Sequence, residues 1–136
     1  MPYDQAHASA TLDASLTTGA AVGTAMQSTF PIHVRYMTAN GTATANGTEL
    51  ATAQGYTSGT GAPTVQFAAA AAANKASNTA VSTTNMPATT IAGVELWDSA
   101  ATPARKWLGA LSTGNKTTNS GDTFSIASGS LTAGLT

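Results

Sequence analysis

Residues 91–111 read IAGVELWDSAATPARKWLGAL, and after a short polar stretch residues 119–135 read NSGDTFSIASGSLTAGL. The first apolar run ends at Trp97-Asp98, a Pro-containing turn follows at Thr102-Pro103, and a second run extends from Lys106 to Leu111. Apolar runs of this length bounded by turn residues read as antiparallel strands. Ser120-Gly121-Asp122 supplies another turn, and the short alternating strands after it extend the meander. No catalytic group stands in a recognisable arrangement here, which points to a protein that works by fitting and binding.

Working outward, Phe30 to Thr38 alternates, with Ile32, Val34 and Tyr36 on one side and His33, Arg35 and Met37 on the other. That two-residue period predicts a half-buried strand. A tandem hexamer follows, Thr38-Ala39-Asn40-Gly41-Thr42-Ala43 and Thr44-Ala45-Asn46-Gly47-Thr48-Glu49. Its Asn-Gly pairs accept the positive φ angles of tight turns, so it reads as a loop or a tiny hairpin. Gly55 to Pro63 reads as a long loop, and alternation resumes through Val65 and Phe67. The run Ala68 to Ala73 reads as a strand end or a wide crossover, and a further strand centres on Val81. Near the start, Ala6, Ala10, Ala14 and Leu16 lie near helical spacing, with Asp4 as N-cap and Gly19 as stop.

The sum predicts an all-β fold: an antiparallel β-sandwich or barrel of about seven short strands with a short N-terminal helix. Residues 1–28 read as a helical or extended anchoring segment and 29–136 as the β-sandwich domain. At 136 residues one domain is expected, with about 70% of the unfolded chain's surface buried. Its core is thin, because Leu, Ile, Val and Phe together number 19. The isolated monomer is therefore expected to be marginally stable and to gain from association.

Only 8% of residues are charged and the net charge is −1, against about 25% charged in ordinary domains. Thr, Ser, Asn and Gly supply the polarity through groups that cost less than charges to bury. Five basic residues are too few for the many phosphate contacts of nucleic-acid binding, so no nucleic-acid partner is expected. No apolar run is long enough to span a bilayer, and the opening MPYDQAHASATLD lacks the basic and apolar regions of a signal peptide. The expectation is a protein made in a cytoplasm, with no membrane partner.

Enzyme chemistry finds no support in the spacing. His7 and His33 are the only histidines, neither has a second ligand at metal spacing, and no GxSxG elbow presents a serine. Gly109 to Thr117 approaches a phosphate loop, but Asn115 separates Gly114 from Lys116 and breaks the spacing. Glu95 and Asp98 do not form a catalytic pair on a strand that ends between them. No cofactor, metal or catalytic residue is expected. Trp97, Trp107 and Tyr56 could stack on sugars from exposed loops, yet Trp107 lies in an apolar run with Leu108 and Leu111, where packing or an interface is the better reading. The sequons at Asn40, Asn46 and Asn115 follow from a composition rich in Asn and Thr.

The order of Ile32 to Thr38, Gly47-Thr48-Glu49-Leu50, Gly55-Tyr56, Val65-Gln66-Phe67, Ser77-Asn78-Thr79, Ile91 to Asp98 and Asn119 to Phe124 resembles a family of small tail-fibre-like virion proteins of tailed phages, notably of actinobacteria. The resemblance covers most of the chain from Phe30 onward. Many of those proteins carry a Thr-Ala-Asp-Pro-Gly turn where this chain has Thr38-Ala39-Asn40-Gly41, and the polyalanine run is a second departure. The resemblance implies a non-enzymatic virion structural protein, assembled in the host cytoplasm. Compactness and few charges favour a capsid decoration protein, a homotrimer on the major capsid protein, over a tail-tip or tail-fibre component contacting the host surface. Leu12, Leu16, Trp97 and Trp107 are the expected partner-binding residues, the first two within the anchoring or subunit-clasping segment.

Overall fold

The computed structural model of the protein describes residues 28–69 and 74–134. The predicted N-terminal helix, the anchoring role of residues 1–28, and Leu12 and Leu16 thus lie outside the described residues, apart from Ser28 itself.

The alternating stretch forms β1 (Ile32–Ala39), the centre of the main sheet. One of its edges pairs with β7 (Gly93–Trp97), placing Val34 opposite Leu96 and Arg35 opposite Glu95. Its other edge is shared by β2 (Thr48–Glu49) near its end and β3 (Thr64–Val65) at its start. The strand is not half-buried as the two-residue period predicts. Ile32, Val34 and Tyr36 enter the core, but His33 and Met37 on the other face are buried too, at 7% and 1% exposure. The tandem hexamer folds over the Met37 end of that second face instead of extending into solvent, with Gly47 packed near the Met37 sulfur, while His33 at the other end reaches the Ala62 carbonyl.

From Asn74 to Gly134 the chain forms one long antiparallel ribbon. From the turn at 98–104, β7 pairs with β8 (Arg105–Ala110), with Leu96 opposite Trp107 and Gly93 opposite Ala110. The pairing continues between β6 (Thr89–Ile91) and β9 (Lys116–Thr118), then β5 (Val81–Met86) and β10 (Asp122–Ile126), then β4 (Asn74–Ala76) and β11 (Thr132–Gly134). Ala92 faces Leu111 through a 3.1 Å amide-to-carbonyl bond while Ile91 faces Lys116, so residues 112–115 loop out of one arm. Gly114, at φ 81°, turns that loop. At Asn85 (φ 53°) a bulge in β5 frees a carbonyl that accepts the Gly55 amide at 2.8 Å. Such bulges bend a strand, and here they carry the lower arm of the ribbon across the face of the main sheet.

The result is the expected all-β, antiparallel architecture, with no α-helix among the described residues. Among the described residues there are eleven strands rather than about seven, because bulges and loop-outs divide stretches that read as single strands. Lys116–Thr118 forms a strand despite carrying no apolar residue.

Between the two layers, Tyr36 stacks on Tyr56 with ring centroids 4.9 Å apart and meets Phe124 edge-on at 4.8 Å. Val34, Val81, Met86, Ile91 and Leu96 complete the fully enclosed centre. The tyrosines supply volume that a chain short of aliphatic residues lacks, and burial demands partners for their hydroxyls. Tyr36 Oη and Thr83 Oγ1 lie 2.8 Å apart, and Tyr56 Oη donates to Glu49 Oε1 at 2.8 Å while accepting the Tyr36 amide at 3.2 Å. Burial pushes both phenols above their ordinary pKa, and for Tyr56 the neighbouring Glu49 carboxylate adds to the effect.

Candidate functional site

Strand alternation dictates what lies on the second face of the main sheet. Val94 and Leu96 of β7 point into the core, so Gly93, Glu95 and Trp97 point away from it, beside His33, Arg35 and Met37 of β1. Glu95 is only 1% exposed. Its Oε1 accepts the Gly47 amide at 2.7 Å and Arg105 Nη1 at 2.9 Å, and its Oε2 accepts Trp97 Nε1 at 2.9 Å. Arg105 then reaches on to the carbonyls of Ala45, at 2.8 Å, and Thr42, at 2.6 Å. One buried ion pair therefore pins the loop 40–47 onto the sheet, which is why the Asn-Gly repeats form a closed cover. The close approach needs glycine: a Cβ at Gly41 would stand 2.5 Å from both Glu95 Oε1 and the Gly47 nitrogen.

A second cluster adjoins the first. The Arg35 guanidinium lies 4.0 Å from the centre of the Trp97 ring, within cation–π range, and its Nη1 is 3.5 Å from Glu49 Oε2. Glu49 Oε1 in turn accepts the Gly59 amide at 2.8 Å, besides the Tyr56 hydroxyl. At the ribbon's apex, Asp98 accepts the Ala104 amide at 2.8 Å and pairs with Lys106 at 3.4 Å. Burial alone would raise the Asp98 pKa, but the Ala104 amide, the Lys106 charge and the Ala100 amide together outweigh it and hold the carboxyl below its ordinary value.

Of the expected contact residues within the described range, Trp97 and Trp107 stand on opposite faces and form no common surface. Trp97 is half-buried at the end of β7, tied to Glu95 and covered by Arg35. Trp107 is half-buried against the core. Tyr56 is fully buried and leaves no ring face for a sugar. His33 lies buried on its strand, with Nδ1 2.8 Å from the Ala62 carbonyl oxygen. The stretch resembling a phosphate loop is strand, turn and strand, without the helix whose N-terminus such loops use. Among the described residues no group of three or more His, Cys, Asp or Glu side chains could hold a metal ion, and no helix is long and apolar enough to cross a membrane.

Among the described residues, a groove of 860 Å³ opens beside the end of β8 and along β10. Val94, Leu111, Phe124, Ile126 and Leu131 give it an apolar floor, and Ser and Thr side chains together with Lys116 line its rim. Nothing in the composition signals this groove. Its walls come from β8, β10 and the segments that follow them, which belong to one arm of the folded ribbon. No family model, curated protein or solved structure matches the chain.

Proposed function

We propose that this chain is a non-enzymatic structural subunit of a phage virion, a decoration protein that docks as a homotrimer on the outside of the capsid shell and reinforces contacts between capsomers. The observation that carries the reading is where the charges lie. Of the nine Asp, Glu, Lys and Arg residues in the described range, Arg35, Glu49, Glu95, Asp98, Arg105 and Lys106 are joined in three ion pairs. That leaves Lys75, Lys116 and Asp122 as the exposed charges, all on the ribbon layer. The rest of the described surface is rich in Ser, Thr, Asn, Gly and Ala, with Phe30 its one exposed large apolar side chain, and a neighbouring protein can cover such a surface with little desolvation cost. Each buried carboxylate is already engaged by protein donors, a use that is architectural and consistent with a role in docking.

Quantitative mass spectrometry of purified particles against the major capsid protein, with cryo-electron microscopy of the intact virion, tests the proposal. A copy number near that of the major capsid protein, with density on the shell exterior, is expected. A few copies confined to the tail would overturn decoration and favour the tail-tip alternative.

A further inference from the structure

The tandem hexamer contains one tetrapeptide twice, Ala39-Asn40-Gly41-Thr42 and Ala45-Asn46-Gly47-Thr48. In an Asn-Gly pair the glycine nitrogen attacks the preceding side chain readily, because glycine has no Cβ in the way and its backbone turns freely. Once that nitrogen has given its proton to a base in the solvent, it bonds to the asparagine Cγ and ammonia leaves. Water then opens the resulting succinimide at either of its two carbonyls, which yields aspartate or isoaspartate. The two copies have the same immediate neighbours, so the fold alone decides any difference between their rates.

We infer that Asn40 is a deamidation site of the folded protein and that the Glu95 clamp shields Asn46 from the same reaction. Both asparagines are exposed, so neither is withheld from water. Their glycine nitrogens differ. The Gly47 amide donates to Glu95 Oε1 at 2.7 Å, and Arg105 and the Trp97 indole hold that carboxylate in place. To react, Gly47 must give up a bond to a charged acceptor and form its anion beside a carboxylate, and both steps oppose the attack. Among the described residues no acceptor takes the Gly41 amide proton. The Asn40 side chain is held by packing alone, its Oδ1 filling the space that a Cβ on Gly93 would need, and such a contact is easily left. Conversion adds a negative charge to a chain of net charge −1. That charge stands on loop 40–47, which has no charged residue of its own.

Fragment-ion mass spectrometry of the full-length protein, warmed at mildly alkaline pH, follows the two asparagines separately. In the folded protein Asn40 should convert about tenfold faster than Asn46, or more, the factor that a bond to a charged acceptor sets on local opening. In strong urea the two rates should become equal. Equal rates in the folded protein, a faster Asn46, or a difference that persists in urea would overturn the inference. Glu95→Ala should raise the Asn46 rate to that of Asn40, whereas Asp98→Asn, which removes a carboxylate that does not touch the loop, should leave the ratio unchanged. An Asn46 that stays slow in Glu95→Ala, or equal rates in both variants, would show that the clamp is not the shield. The comparison of folded with urea-unfolded unaltered protein decides the matter even where Glu95→Ala fails to fold.

Discussion

Replacing Glu95 with alanine should loosen the molecule more than any other single change at a charged residue. The substitution removes the acceptor for the Gly47 amide, the Trp97 indole and Arg105 in one step. It also takes the Glu95 carboxylate away from the Arg105 side chain, which is only 3% exposed. Removing one member of a buried ion pair costs about 3–5 kcal/mol. Arg105 keeps the carbonyls of Thr42 and Ala45, which places the cost near the lower end, about 3 kcal/mol. Against a total stability of about 5–15 kcal/mol, that is a fifth or more of what holds the fold. With a urea dependence of about 1–3 kcal/mol per molar, the unfolding midpoint should fall by about 1–3 M. Glu95→Gln keeps the shape but turns an amide group toward donors, so it should cost about 1–2 kcal/mol. Equilibrium urea unfolding followed by tryptophan fluorescence measures both, since Trp97 bonds directly to the altered group. If both variants unfold within about 0.5 kcal/mol of the unaltered protein, the range of ordinary surface changes, the clamp does not hold loop 40–47 as argued.

Asp98, whose folded-state pKa is depressed, contributes stability that is fully present above the unfolded carboxyl's value of about 3.9 and is lost as pH falls through the folded value. Between about pH 5 and pH 2.5 the urea midpoint of the unaltered protein should therefore drop further than that of Asp98→Asn, and equal drops would refute the assignment. Gly93→Ala should cost about 1–3 kcal/mol, because its Cβ would overlap the Asn40 side chain and the backbone carbonyl oxygen of Gly109. Thermal unfolding should register this as a melting temperature lower by several degrees, and an unchanged value would show that the loop cover can shift.

The strands around the apex were legible because Val94, Leu96, Trp107 and Leu108 concentrate apolar character on both sides of a Pro-containing turn. The central strand was legible from its alternation, yet its second buried face was not. Loop 40–47 is polar, and only the pairing of Glu95 with Arg105 turns it into a cover. A bulge between Leu96 and Trp97 shifts Arg105 in register, so a regular strand drawn from the sequence does not place it correctly. Tyr36 and Thr83 are 47 positions apart, and no local pattern marks such a pair. The low charge content was plain from composition. That six of the charges pair with one another became visible only once the strands were laid side by side.

The successive pairing of the ribbon's strands from its apex to residues 74 and 134 also implies an order of assembly. Once the short turn at 98–104 closes, each further pair joins residues already held close, so the entropy of closing a loop is met in small instalments instead of in one long search. Most strands of this β-protein could then form like a zipper drawn from one end. β1, which must find β7 across more than fifty residues, would be the slow partner, and its arrival would lock the two arms around the tyrosines.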